Sequence, residues 1–142
     1  MPRKQEHGKA APYRTGELAL TRGEYQKLLA ACGTQQDRVL IMMAVALGLR
    51  RSDLVRVRWS DIDFERSELH YREKKKGDRL RTVPIGPKLR QELMILRAST
   101  PRNQATVFSF GDRQAHTRFN RVCDLAGIDR RPIHALRATA IK

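Results

Sequence analysis

One stretch of this chain leaves little freedom in what the rest can build. From about Gln35 to Leu47 the residues Val39, Leu40, Ile41, Met42, Met43, Ala44, Val45, Ala46 and Leu47 put apolar side chains on nearly every side of a helix. A surface helix shows one apolar stripe; a helix apolar all round has to run through the middle of a domain with other elements wrapped about it. Gly48 is its natural C-cap, because glycine enters the left-handed conformation that ends a helix without a Cβ penalty. The apolar run from Val39 to Leu49 is too short to cross a bilayer, so protein and not lipid must cover it.

The covering elements are legible on both sides. Thr21 and Glu24 form a capping box, and Tyr25, Leu28, Leu29 and Cys32 recur at helical spacing before Gly33. Ser52 can cap a short third helix through Asp53, Leu54, Val55, Arg56 and Val57, ending near Trp59. Ile62 to Phe64, Glu68 to Arg72 and Arg79 to Pro84 read as three short antiparallel strands, separated by Glu65-Arg66-Ser67 and by the tight Lys76-Gly77-Asp78 segment. Pro84 suits the end of an edge strand.

Pro87 sits well at the first position of a further helix, with Leu89, Leu93, Leu96 and Ile95 as its inward stripe, to about Ala98. Asp112 is placed to cap another, whose Phe119, Val122, Cys123 and Ala126 share one face before Gly127 ends it. The last segment, from Pro132, starts helical, and the sequence ends at Lys142 without cap or breaker. Helices, a three-stranded meander and helices again predict a mainly helical α+β domain over residues 17–142, preceded by a flexible basic arm over 1–16. At 142 residues and 16.3 kDa the chain can bury a core without disulfide or metal staples. Cys32 and Cys123 have no zinc-type spacing and read as buried thiols; no metal and no cofactor are expected.

Lys and Arg number 29 against 15 Asp and Glu, for a net charge of +14. That balance favours polyanionic partners, nucleic acid first, with a merely solvated basic surface as the bland alternative. Met1 to Glu6 contain no signal-peptide core, so the expectation is a soluble, cytoplasmic, nucleoid-associated protein with no membrane partner.

Four residues then stand out. Arg50 lies between the central helix and the short capped one, where a planar, permanently charged fork can give two parallel hydrogen bonds to a phosphate; Arg51 is the plain surface alternative. Lys74, Lys75 and Lys76 precede Gly77 at a hairpin tip, where an ammonium can protonate a leaving alkoxide or simply steer a polyanion. His134 and Arg137 are three apart and share a helical face toward one target, with Arg130 and Arg131 nearby. His7, His70 and His116 have no such companion and read as structural.

These motifs carry a resemblance. Gly48-Leu49-Arg50-Arg51-Ser52-Asp53-Leu54, with Trp59-Ser60-Asp61-Ile62-Asp63 after it, is similar to the first arginine box of the tyrosine recombinase (phage integrase) family. Lys76-Gly77-Asp78-Arg79 with Val83-Pro84-Ile85 is similar to its β-hairpin lysine and V-P-L strand end, which selects Lys76 over its neighbours. His134-Ala135-Leu136-Arg137 matches its H-x-L-R box. Arg, Lys, His, Arg in that order over residues 17–142 resembles the catalytic core of the DNA breaking-rejoining enzymes.

The resemblance implies that Arg50 and Arg137 neutralise a scissile phosphate, that Lys76 protonates the departing 5′ oxygen, and that His134 holds a phosphate oxygen or assists proton transfer. It implies double-stranded DNA as partner, contacted also by Arg51, Lys74, Lys75, Arg79 and Arg131, and no metal, since the guanidinium groups supply the charge stabilisation. Asp53 stands where the family usually has Glu, and Ala138 where a second His is common. The family's nucleophilic tyrosine lies beyond the H-x-L-R box, and none of Tyr13, Tyr25 and Tyr71 occupies that place. The expectation is therefore a catalytic-domain portion, truncated at its C-terminus and inactive alone. It would act with other recombinase protomers or a tyrosine-bearing C-terminal fragment in trans, or else serve as a non-catalytic DNA-binding module.

Overall fold

The structure, a computed structural model, describes residues 19–73 and 77–138. Helix α1 spans Arg22–Ala31, α2 Gln35–Leu47 and α3 Arg51–Leu54; a single 3-10 turn covers Trp59–Asp61. Strands β1 (Ile62–Asp63), β2 (Glu68–Glu73) and β3 (Arg79–Pro84) follow, then α4 (Pro87–Ser99), α5 (Asp112–Ala126) and a final 3-10 helix, Ile133–Ala138. The sheet is an antiparallel meander in the order β1-β2-β3, with Leu69 facing Val83 and Glu73 facing Arg79.

Helix α2 occupies the centre. Val39 to Ala44 are six consecutive buried residues, and the helix packs against α1, α3, α4, α5 and the final 3-10 helix. Its first turn is only partly covered and its last turn opens, with Ala46 exposed before Gly48 takes the left-handed φ of 67° and turns the chain. Burying each Leu, Ile or Met along it contributes about 1.5–3 kcal/mol, which is why this helix organises the others. Polar ties fix their azimuths: Gln35 and Arg38 donate to the Glu92 carboxylate of α4 at 2.7 and 3.1 Å. Arg118 of α5 donates to Asp37 at 2.7 Å while its guanidinium lies 4.4 Å from the Phe110 ring centre.

The capping box at Thr21 forms as read, with Glu24 N donating to Thr21 Oγ1 at 3.1 Å and Thr21 N to Glu24 Oε1 at 3.0 Å. Two other caps differ. Helix α3 starts at Arg51, with the Arg50 carbonyl accepting from Asp53 N and Leu54 N, both at 2.9 Å, so Ser52 is inside the helix and the element stops well before Trp59. The buried pair Leu49 and Leu54 sets that frame, and packing overrides the cap preference of a serine. Asp112 is the first residue of α5, not its cap; Gly111 holds the cap position and the Asp112 carboxylate is taken by Arg51. Leu89, Leu93 and Leu96 point inward on α4, whereas Ile95 is exposed. Cys123 is buried, but Cys32 is only partly covered and caps α1 instead of lying within it.

The arm expected over residues 1–16 lies outside the described residues. No helix among the described residues is long and apolar enough to cross a membrane.

Candidate phosphate-binding site

Gly48 and Arg50 place the first guanidinium. After the left-handed turn at Gly48, Leu49 dives into the core and Arg50 follows in extended conformation at φ −69°, ψ 154°, as the residue before α3. Two buried leucines, Leu49 and Leu54, thus clamp the backbone on either side of one arginine. The Nη1 atom of Arg50 is itself buried and has no hydrogen-bond partner among the described residues. A buried N–H normally finds an acceptor, since leaving one unmade costs about 1–3 kcal/mol, more for a charged group. Among the described residues, Arg50 Nη1 shares this state with Trp59 Nε1 alone, and of the two only the arginine carries a charge that an anionic acceptor would meet.

Arg137 reaches the same turn from the other end of the sequence. A Cβ placed on Gly48 would stand 3.8 Å from Arg137 Nε and 3.9 Å from its Cγ, so the arginine stem lies across the C-terminal end of α2, two residues from Arg50. A helix C-terminus carries partial negative charge, α2 has no basic residue in its own last turn, and Arg137 fills that role from a distance. The final 3-10 helix supports it: Ile133, Ala135 and Leu136 are buried, while His134 and Arg137 are exposed. With three residues per turn, positions i and i+3 eclipse, so His134 and Arg137 rise from one edge more closely aligned than on the α-helix expected from sequence.

Around these groups lies a set of carboxylates and one phenol. Asp53 is only 3% exposed, and Arg56 donates to it at 3.4 Å. Tyr71 on β2 packs at the edge of the core; burial pushes its hydroxyl above the usual phenol value, with Glu73 and Asp53 adding to the rise and Arg81 and Arg137 opposing it. Tyr71, Asp53 and Arg137 therefore share one electrostatic neighbourhood. Tyr71 does not stand out in the sequence as part of the site, whereas Asp53 stands in the arginine box three residues after Arg50.

The remaining residues read from sequence fall in different places. Lys74, Lys75 and Lys76 lie outside the described residues; Glu73 and Arg79 face each other on either side of them, and Gly77 and Asp78 both take positive φ, 73° and 61°, beyond them. Arg79 is exposed, 3.8 Å from Glu73. Arg51 makes a two-point contact with Asp112, at 2.6 and 3.3 Å, tying α3 to α5. Arg131, read as a DNA-facing cation, is turned inward: its side chain is 8% exposed and its donors go to main-chain oxygens. Its donors go to the Asp129 carbonyl two residues before it and to the Ala19 carbonyl 112 positions away, and only the second is an arrangement no local pattern reveals. No cluster of metal-ligating side chains occurs among the described residues.

A sequence profile of the Phage integrase family matches residues 19–142, nearly all of the chain. The chain belongs to the phage integrase family. Tyrosine recombinase XerA of Thermococcus onnurineus (strain NA1) is 39% identical to this integrase-family chain over 69 residues, which cover 47% of the chain and 24% of XerA. The crystal structure of XerA recombinase superposes with a TM-score of 0.73 at 22% identity, covering 84% of this chain and 47% of that one. A lambda integrase dimer bound to a COC′ core site superposes with a TM-score of 0.65 at 20% identity, covering 84% and 49%. At these identities the structural likeness is one of fold: a mainly helical α+β domain with a three-stranded antiparallel meander, the integrase catalytic core. The chain spans about half the length of those solved proteins.

Proposed function

We propose that this chain is the DNA-binding, phosphate-activating portion of the catalytic domain of a site-specific tyrosine recombinase. The buried Nη1 of Arg50, unpartnered among the described residues, together with the Arg137 stem across Gly48 two residues earlier, carries the reading. A DNA backbone phosphate supplies non-bridging oxygens at the spacing of a guanidinium fork, and two arginines across one phosphate offset the negative charge that builds up in a five-coordinate transition state. His134, on the same edge as Arg137, donates to or shuttles a proton at one phosphate oxygen. Lys76, in the segment between Glu73 and Gly77, gives a proton to the 5′ oxygen as its bond to phosphorus breaks. Exposed Arg79, with Lys74 and Lys75, tracks the flanking backbone, whereas Arg51 and Arg131 serve the protein's own scaffold.

Cleavage further needs a tyrosine oxygen that attacks phosphorus, forms the new P–O bond and gives up its proton. Tyr25 and Tyr71 are both partly buried and their hydroxyls are pushed above the usual value, chiefly by burial, which suits neither to attack. Residues 1–142 by themselves should therefore bind duplex DNA without cutting it, the nucleophile being supplied from outside these residues. That makes a DNA-binding module the activity to expect of the chain by itself.

Fluorescence anisotropy with a short random-sequence duplex tests the first part: the logarithm of affinity should fall with the logarithm of salt by about 0.9 per phosphate contacted. Mixing the chain with a nicked duplex should yield no adduct that survives denaturing electrophoresis. Adding a relative's tyrosine-bearing C-terminal segment should produce one that depends on Arg50. An adduct formed by the chain alone, or salt-independent binding, contradicts the reading.

A further inference from the structure

Arg131 is the least exposed side chain among the described ion-paired arginines, and it uses that position to join two parts of the chain remote in sequence. Its Nε and Nη2 both donate to the Asp129 carbonyl at 3.2 Å, Nη1 donates to the Ala19 carbonyl at 3.4 Å, and Nη2 lies 3.7 Å from Glu24 Oε2. Glu24 is the same residue whose other oxygen closes the capping box of α1. One rigid, planar cation therefore fastens the start of α1 to the loop that delivers the final 3-10 helix.

That loop has only Pro132 between Arg131 and Ile133, and the first turn closes when Ala135 N donates to the Pro132 carbonyl at 3.0 Å. Ile133, Ala135 and Leu136 bury the inner side of the turn. Apolar contacts fix how deep a segment sits, but they are non-directional and leave rotation about its axis soft. Hydrogen bonds from a buried guanidinium to fixed carbonyls are directional, and a planar fork loses little freedom in making them. That rotation bears on Arg137, whose stem lies across the turn at Gly48.

We infer that Arg131 is a positioning residue: anchored on Ala19, Asp129 and Glu24, it holds the final 3-10 helix so that Arg137 lies across Gly48 and grips phosphate together with Arg50. The inference rests on the phosphate-binding reading above and adds that Arg131 contacts no DNA.

The test is a two-by-two comparison in the full 142-residue chain, binding a short random-sequence duplex: wild type, Arg131→Met, Arg137→Ala and the double variant, with folding of each checked by circular dichroism. Arg131→Met should weaken binding roughly three- to tenfold in the wild-type background and leave the affinity of the Arg137→Ala protein unchanged, because residues acting as one unit are not additive. Equal losses in both backgrounds, with the salt slope reduced by about 0.9 each time, would identify Arg131 as a phosphate contact in its own right and overturn the inference. If Arg137→Ala binds like wild type, the phosphate-binding reading itself fails and the positioning role with it. Should Arg131→Met not fold, Arg131→Lys keeps the charge but cannot span the Ala19 and Asp129 carbonyls from one plane. It should show the same dependence on Arg137 at smaller amplitude, and loss of affinity independent of Arg137 counts against the inference.

Discussion

Arg50 should lower the stability of the free protein, and that expectation separates a binding residue from a structural one. Its buried Nη1 has no partner among the described residues, a deficit of about 1 kcal/mol if the rest of the group is hydrated. Arg50→Met should therefore raise the melting temperature by about 3 °C while weakening DNA binding by about tenfold or more. A variant both less stable and equally tight in binding would show that Arg50 is scaffold. Gly48 behaves the opposite way: at φ 67° any Cβ is strained, yet a Cβ would meet Arg137 Nε only at an ordinary 3.8 Å. Gly48→Ala should cost about 1–2 kcal/mol in thermal or denaturant unfolding, Gly48→Asn less, and neither should change DNA affinity beyond that.

At the scale of elements, much was legible and the gaps have physical causes. The all-apolar run from Val39 fixed α2 as the centre, Thr21 with Glu24 fixed the start of α1, and the strand pattern around Lys76-Gly77-Asp78 fixed the hairpin, because each signal is local. The start of α3 was misplaced because Leu49 and Leu54 set its frame through burial, and Asp112 was misassigned because its partner, Arg51, is 61 positions away. Arg50, His134 and Arg137 could be nominated from sequence, but the inward turn of Arg131 depends on a carbonyl at Ala19 that no periodicity predicts. The cysteines show the same division. Burial, ahead of the neighbouring Asp37, pushes the Cys32 thiol from 9.0 to about 12, and burial pushes Cys123 from 9.0 to about 11. Both thiols stay protonated near pH 8 and should react slowly with a thiol reagent until the protein unfolds. Since folding raises their pKa, the stability they carry is intact below about pH 9 and declines as pH climbs from there toward 11–12, when the unfolded chain alone releases protons. Denaturation midpoints measured across that range check the sign; a midpoint that rises with pH contradicts it.

For the whole molecule, one central helix brings together what the sequence keeps apart. The C-terminal end of α2 turns at Gly48 to present Arg50 and receives Arg137 from the far end of the chain, while β2 brings Tyr71 into the field of Arg137 and Asp53. A net charge of +14 favours polyanions across the molecule as a whole, and under the proposed function Arg50 and Arg137 would give that attraction a fixed point of contact. If Arg50 and Arg137 hold a single phosphate, they must be thermodynamically coupled in binding DNA. The decisive measurement is the affinity of wild type, Arg50→Met, Arg137→Ala and the double variant for one duplex over a range of salt. The account predicts that the double variant binds little more weakly than the worse single variant, and that its salt slope is lower than wild type by about 0.9, one phosphate. Additive losses, with the slope reduced by about twice that amount, would mean that the two guanidinium groups serve separate phosphates and that no shared site exists.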